Sequence, residues 1–327
     1  MTILAGDVGG TGTRLALFEP ATRAPVLLTR YRSEEHGGLP EMTQAFLAEH
    51  PAEVQGAAFG VAGPVVNGRT ETVNLAWPVD ASQMASVLQL DRVTLLNDLE
   101  ANAWGIAWLG DGDLVALNDG DPEAAGNRAV ISAGTGLGQA GLYWNGTEHL
   151  AFATEGGHAE LAPADALQAE LLGFLRAELG HVSWERVCSG MGLVNIERFL
   201  RARTGEPEPD RISAAPDGDT AAAIGDAALR HTDEISDDAL NLMVDVYGRQ
   251  AGNLALTLMA VGGVFVGGGI APKILPRLAD GRFMAAFAGK GRFEALLRRV
   301  PVKVILNDLT ALLGAARVAL RDVGARP

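Results

Sequence analysis

Two glycine-rich turns, each set between short apolar runs, constrain this chain more than any other feature. Ile3–Asp7, Gly9–Gly12 and Arg14–Glu19 read as strand, tight turn and strand, because glycine supplies backbone angles that other residues resist. The same grammar returns at Ala129–Ala133, Gly134–Gly138 and Gln139–Trp144, after which Asn145-Gly146 marks a further two-residue turn. Two halves built alike are expected, although the shared letters are too few to make a sequence repeat.

Between these hairpins the pattern predicts a helix near Glu41–His50, strands near Ala57–Val61 and Val93–Leu96, and a helix running from Asp98. Helical stretches follow at Ala166–Leu179, Val194–Ala202, Thr220–His231 and Asp237–Val261, so the second half is helix-rich. A strand at Val264–Val266 leads through glycines to a helix expected near Pro272, a residue suited to a first helical turn. Val302–Leu306 then leads into a last helix near Asp308–Leu320, and loops fall at Asn118–Asn127 and Gly205–Gly218. At 327 residues the chain exceeds what one hydrophobic core usually serves, so two domains are expected.

Charge and cysteine usage exclude several functions. Acidic residues outnumber basic ones by 40 to 26, a formal charge of -14, which disfavours nucleic acid and anionic membranes. The basic groups Arg198-Arg201-Arg203 and Arg298-Arg299 read as solvated faces. Cys188 is the only cysteine, so no internal disulfide or cysteine-built zinc site can form, and a cytoplasmic location is expected. The first residues lack the basic start and long apolar run of a secretory signal. The uncharged stretch Ala251–Pro272 is long enough to span a bilayer, yet five glycines between Gly262 and Gly269 break it into two elements.

Four segments carry residues suited to chemistry. In Asp7–Arg14, successive N–H groups of a tight glycine turn can face a phosphate, with the hydroxyls of Thr11 and Thr13 as further donors. Asp7 ends the preceding strand, where a carboxylate can hold Mg²⁺ directly or through water. Ser132–Gly141 is a second such turn. It satisfies G-x-G-x-x-G, but Leu142-Tyr143-Trp144 follows where a dinucleotide fold demands a helix, and no lysine stands in a P-loop. Asn97-Asp98 closes an apolar run and opens a helix, a place for either a capping pair or a base; Asn307-Asp308 has the same setting, and periodicity does not choose between them. Thr154–Pro163 brings Glu155, His158 and Glu160 around two glycines, and Glu185 follows before Ser189-Gly190. No second histidine stands at zinc-ligand spacing, whereas carboxylates accepting hydrogen bonds suit sugar hydroxyls.

In order along the chain, DVGGTGTR at Asp7–Arg14, NLAW at Asn74–Trp77, LLNDLEANAWG at Leu95–Gly105, GTGLG at Gly134–Gly138, EGGHAELAP at Glu155–Pro163, ERVCSGMGLVN at Glu185–Asn195 and GGVFVGGGIAPKIL at Gly262–Leu275 resemble the bacterial glucokinase family. That family is a branch of the sugar-kinase, heat-shock-protein and actin superfamily, and the resemblance spans nearly the whole chain. Gly12 and Thr13 stand where its members often have Asn and Ala, and Met191 replaces a frequent proline.

The resemblance implies an α/β, two-domain, actin-like (ribonuclease H-like) ATPase fold with an active-site cleft between the domains. Residues 1–106 with 302–327 would form the smaller domain and 107–301 the larger, helix-rich one. It implies ATP-dependent phosphorylation of glucose at the 6-hydroxyl, the first step of glycolysis, with Mg²⁺. Asp98 would be the base, and Asn74, Asn97, Glu155, His158 and Glu185 would bind sugar hydroxyls. Asp7, Gly9, Gly10, Thr11, Gly12 and Thr13, with Gly134, Thr135 and Gly136, would hold the phosphates, and Gly268 and Gly269 the adenosine side. A homodimer is also implied. A kinase for another hexose and a non-catalytic sugar-responsive regulator are the alternatives.

Overall fold

The computed structural model describes residues 1–20, 22–70, 75, 77–121, 123–209, 212 and 220–324. Contacts divide the chain into one unit of Met1–Asp113, Ala140–Ala153 and Asn307–Pro327, and a second of Leu114–Gln139 and Thr154–Leu306. The returning segment of the first unit thus starts at Asn307 and not at Val302, because Val302–Ile305 is a strand of the second unit's sheet. Ala140–Ala153 joins the first unit, where Leu150 and Ala151 lie on its core and Arg321 clasps Glu148 through both carboxylate oxygens.

The first unit is built on a five-stranded sheet in the order β3-β2-β1-β4-β7, where β1 is Thr2–Val8, β2 Gly12–Phe18, β3 Leu27–Arg32, β4 Val54–Val61 and β7 Val93–Asn97. Two short strands, β5 (Arg69–Thr70) and β6 (Val79–Asp80), pair separately. β1 and β2 form the hairpin that the first glycine turn demands, while β4 and β7 run parallel to β1 as an α/β unit requires. Side chains alternate between faces, so Ile3, Ala5, Phe18 and Ala58 meet Trp104, Leu312 and Leu320, and Leu4, Leu15 and Phe59 meet Met42 and Phe46. Each large side chain so buried contributes about 1.5–3 kcal/mol relative to exposure. The final helix, Thr310–Asp322, crosses the helix Asp98–Gly105 backbone to backbone, since a Cβ on Gly314 would stand 1.8 Å from the Ala101 carbonyl oxygen.

The second unit contains the strands β8 (Leu114–Asn118), β9 (Arg128–Ala133), β12 (Val264–Gly267) and β13 (Val302–Ile305) of a six-stranded sheet ordered β11-β10-β9-β12-β13-β8, with β10 at Leu137–Trp144 and β11 at His149–Thr154. β9, β12 and β13 are parallel and almost wholly buried, consistent with their unbroken apolar runs. The helices Ala166–Leu179, Gly190–Thr204, Thr220–Leu229 and Glu234–Leu258 supply the rest of the core.

Three expectations fail here. Pro272 does not open a helix: Ile270 N donates to the Ala133 carbonyl, the chain turns tightly, and the next helix is the single turn Leu275–Leu278. Arg201 is not a solvated cation, because it lies 7% exposed against the buried Glu197 and donates to Asp233 Oδ2 at 2.6 Å and Pro207 O at 3.0 Å. The two-residue turn is displaced by one position: Asn145 N donates to Glu148 O around Gly146-Thr147, and Asn145 Oδ1 accepts from Thr147 N and Glu148 N. Among the described residues no helix is long and apolar enough to cross a membrane.

Candidate active site

In the first unit, the turn after β1 is braced from below. Gly9 N donates to Gly12 O at 3.0 Å, and the Ser33 hydroxyl donates to Gly9 O at 2.6 Å. Thr13 is 1% exposed, with its hydroxyl 3.0 Å from Ser33 Oγ. Its hydroxyl is therefore committed to holding the turn, whereas Gly10, Thr11 and Gly12 are exposed at its tip. Asp7 faces Arg14 across the hairpin, and Arg14 donates to Asp7 Oδ2 from Nε at 3.0 Å and from Nη2 at 2.6 Å. Both bonds fall on the one carboxylate oxygen and orient the group. Among the described residues no three His, Cys, Asp or Glu side chains cluster as a metal cage. A single carboxylate is what Mg²⁺ accepts when phosphate oxygens and water complete its octahedron, so the donor set fits.

The structure separates the roles that periodicity leaves joined in Asn97-Asp98. Asn97, 5% exposed, is the N-cap: its Oδ1 accepts from Leu99 N at 2.9 Å and Glu100 N at 3.2 Å. Its amide nitrogen donates to Gly63 O at 3.1 Å. Asp98 is thus the first helical residue and not the cap, half-buried, with Oδ1 accepting from Leu99 N at 2.8 Å. Asn307-Asp308 resembles this pair only in part. Asn307 Oδ1 accepts from Leu309 N, but Asp308 is 70% exposed and paired with Arg14 at 2.9 Å and Arg30 at 3.4 Å.

In the second unit, the turn after β9 is closed by Gly134 N donating to Gly136 O at 2.9 Å, while Gly134 O accepts from Gly190 N at the start of the helix Gly190–Thr204. Thr135 is exposed at its tip. Glu185, 17% exposed, reaches this turn: Oε2 accepts from Leu137 N at 3.0 Å, and Oε1 lies 3.8 Å from His158 Nδ1. His158 Nε2 is in turn 3.9 Å from Glu155 Oε2. Gly157 lets this segment lie on β10, since a Cβ there would stand 1.8 Å from the Leu137 carbonyl oxygen. Glu155, His158 and Glu185 are therefore one cluster, whereas Glu160 is directed to His181 at 3.8 Å. Gly268, with φ of +85°, packs against the end of β9, where a Cβ would be 2.2 Å from Ala133 O; Gly269 faces open space. Asn74 lies outside the described residues.

Arg14 and Ser33 escaped the sequence reading as site residues. Arg14 stands seven positions after Asp7, and only the cross-strand register of the hairpin makes them neighbours. Ser33 comes from the segment after β3 and carries no motif of its own.

A family model described as Glucokinase matches residues 4–322. The chain belongs to the glucokinase family. It is 40% identical to a glucokinase of Nostoc sp. over 98% of this chain and 99% of that one. Among solved structures, the glucokinase of an Antarctic psychrotroph superposes with a TM-score of 0.84 at 32% identity, covering 98% of this chain and 99% of the other. The ROK family glucokinase of Streptomyces griseus in complex with glucose and AMPPNP, 21% identical with a TM-score of 0.67 over 98% and 100% of the two chains, shares the fold. The architecture is the two-unit α/β actin-like ATPase fold of the sugar kinases, as the resemblance implied. Glu155, His158 and Glu185 cluster beside the Gly134–Gly136 turn.

Proposed function

We propose that this chain transfers the γ-phosphoryl group of ATP to the 6-hydroxyl of D-glucose, forming glucose 6-phosphate and ADP, with Asp98 as the base. The observation that carries the reading is the division of labour at the start of the helix Asp98–Gly105. Asn97 supplies the cap by accepting from Leu99 N and Glu100 N, and Asp98 follows it as the first helical residue with Oδ1 on Leu99 N. Membership of the glucokinase family supports glucose as acceptor, and the AMPPNP complex of the Streptomyces griseus enzyme supports ATP as donor.

The glucose 6-oxygen attacks the γ-phosphorus while its proton passes to an oxygen of Asp98. The bond between that phosphorus and the β,γ-bridging oxygen breaks, and ADP leaves with the bonding electrons. Asp98 then loses the proton to water. Asn74, Asn97, Glu155, His158 and Glu185 orient the remaining hydroxyls, and a sugar lacking one of them leaves its partner unmatched. Backbone N–H groups of Gly10–Gly12 and of Thr135 and Gly136 hold phosphate oxygens, and Gly268 and Gly269, which carry no side chain, line the adenosine side. Asp7, oriented by Arg14, would hold a Mg²⁺ ion through Oδ1 or an intervening water. When bound, that ion would offset the phosphate charge.

The test is ADP release from ATP and Mg²⁺ with and without glucose, with the product assayed by glucose-6-phosphate dehydrogenase. Sugar-dependent ADP matched by glucose 6-phosphate supports the proposal; ADP release indifferent to sugar, or a product phosphorylated elsewhere, contradicts it.

A further inference from the structure

Tyr247 is wholly buried in the middle of the helix Glu234–Leu258, and no motif singles it out. Its hydroxyl accepts from Ala133 N at 3.1 Å, and its single proton lies between the carbonyl oxygens of Ile131 at 3.1 Å and Gly267 at 3.4 Å. Ile131 and Ala133 belong to the end of β9, and Gly267 is the last residue of β12, which runs parallel to it with Gly267 opposite Ser132. Beyond these points β9 enters the turn Gly134–Gly136 and β12 enters Gly268-Gly269. Buried backbone groups at the end of a ladder require other partners, and this hydroxyl serves both strands at once.

The side chain that bridges them is itself held. Its ring meets Phe283 edge-on, with centroids 5.5 Å apart and planes at 83°. The adjacent Gly248 lets the helix Arg282–Ala288 approach so closely that a Cβ would stand 2.3 Å from Phe283 O. Burial pushes the phenol well above its usual range, so it remains a donor at neutral pH. Ala133 transmits any displacement to both segments, because its carbonyl oxygen also accepts from Ile270 N at 3.2 Å and lies against Gly268.

We propose that Tyr247 is a positioning residue for nucleotide binding, setting the separation of the Gly134–Gly136 turn and the Gly268-Gly269 segment so that both address one ATP. The proposal rests on the reading of these glycines as the nucleotide site. It predicts an unequal defect: nucleotide recognition suffers more than sugar recognition, which the turn reaches only through the Leu137 N–Glu185 bond.

The test is Tyr247→Phe, which keeps the ring and removes the bridge. Calorimetric titration with AMPPNP should show affinity weakened about five- to tenfold, the worth of roughly one net hydrogen bond, with the KM for ATP raised to match. The KM for glucose should stay within about twofold of native. Val246→Ala, a buried change in the same helix that leaves the hydroxyl intact, should lower stability without this selectivity. Unchanged AMPPNP affinity in Tyr247→Phe, or an equal loss in Val246→Ala, overturns the proposal. Native protein that fails to bind AMPPNP overturns the nucleotide reading itself and this proposal with it. Should Tyr247→Phe not fold, amide exchange of native protein decides: AMPPNP should protect 131–137 and 266–270 together, and protection of only one segment refutes a shared brace.

Discussion

The double attachment of Glu185 makes Gly136→Ala a revealing substitution. A Cβ on Gly136 would stand 2.4 Å from Glu185 Oε2, with Cδ at 3.3 Å and Cγ at 4.0 Å. Gly136 is not among the residues with positive φ, so alanine suits its backbone, and the obstacle is only the tip of a flexible side chain. The carboxylate must retreat by about 1 Å to reach ordinary contact, which breaks its bond from Leu137 N and turns it from His158. A hydrogen bond to a charged group is worth about 1.5–3 kcal/mol, while replacing glycine returns about 0.4–1 kcal/mol through the unfolded chain. The net cost to folding should therefore be about 0.5–2.5 kcal/mol, measured by urea unfolding. If Glu185 accepts a glucose hydroxyl, the same displacement lowers kcat/KM for glucose about 10- to 150-fold. ADP release would be followed at varied glucose with saturating ATP, and again at varied ATP with saturating glucose. A loss confined to the ATP series, or kcat/KM for glucose within about twofold of native, would refute the argument through Glu185.

Two further expectations follow from the buried charges. Arg201→Met should destabilise the protein by about 3–5 kcal/mol in urea unfolding, because Glu197, 1% exposed, loses its counter-charge in the core; a change under about 1 kcal/mol would show that the network contributes little. Burial, only partly opposed by a hydrogen bond with Trp104, raises the Glu100 carboxyl above its ordinary range. Its ionisation therefore costs folding stability once pH rises past the unfolded-state value, and the cost is complete above the folded one. Glu100→Gln should be more stable than native at neutral pH, with the gain vanishing as pH falls below the ordinary glutamate range; a gain constant with pH, or a loss, would contradict this.

Much of the fold was legible because glycine spacing and apolar runs speak directly about backbone shape. The hairpin at β1 and β2, the turn joining β9 to β10, and the helices Ala166–Leu179 and Thr220–Leu229 lie where the pattern puts them. The helix expected at Pro272 failed because a tertiary bond from Ile270 to Ala133 overrides the local preference of proline. Arg201 was read as solvated beside Arg198 and Arg203, yet its spacing of four from Glu197 was the available signal of a paired face. At the candidate site, residue types pointed to carboxylates and glycines, but that Asn97 is the cap and Asp98 the first helical residue needed hydrogen-bond geometry. Tyr247 was out of reach altogether, since one tyrosine within a long apolar helix looks like core until the strand ends it touches are known.

The central claim is that Asp98, and not the similarly placed Asp308, takes the proton from glucose. ADP release with ATP, Mg²⁺ and glucose, measured side by side on native protein, Asp98→Asn and Asp308→Asn, tests it most directly. The account predicts native-like turnover in Asp308→Asn, and in Asp98→Asn a kcat lower by about 10²–10⁴ with glucose still bound. Near-native turnover in Asp98→Asn with normal glucose binding, or a collapse of turnover in Asp308→Asn alone, would contradict it.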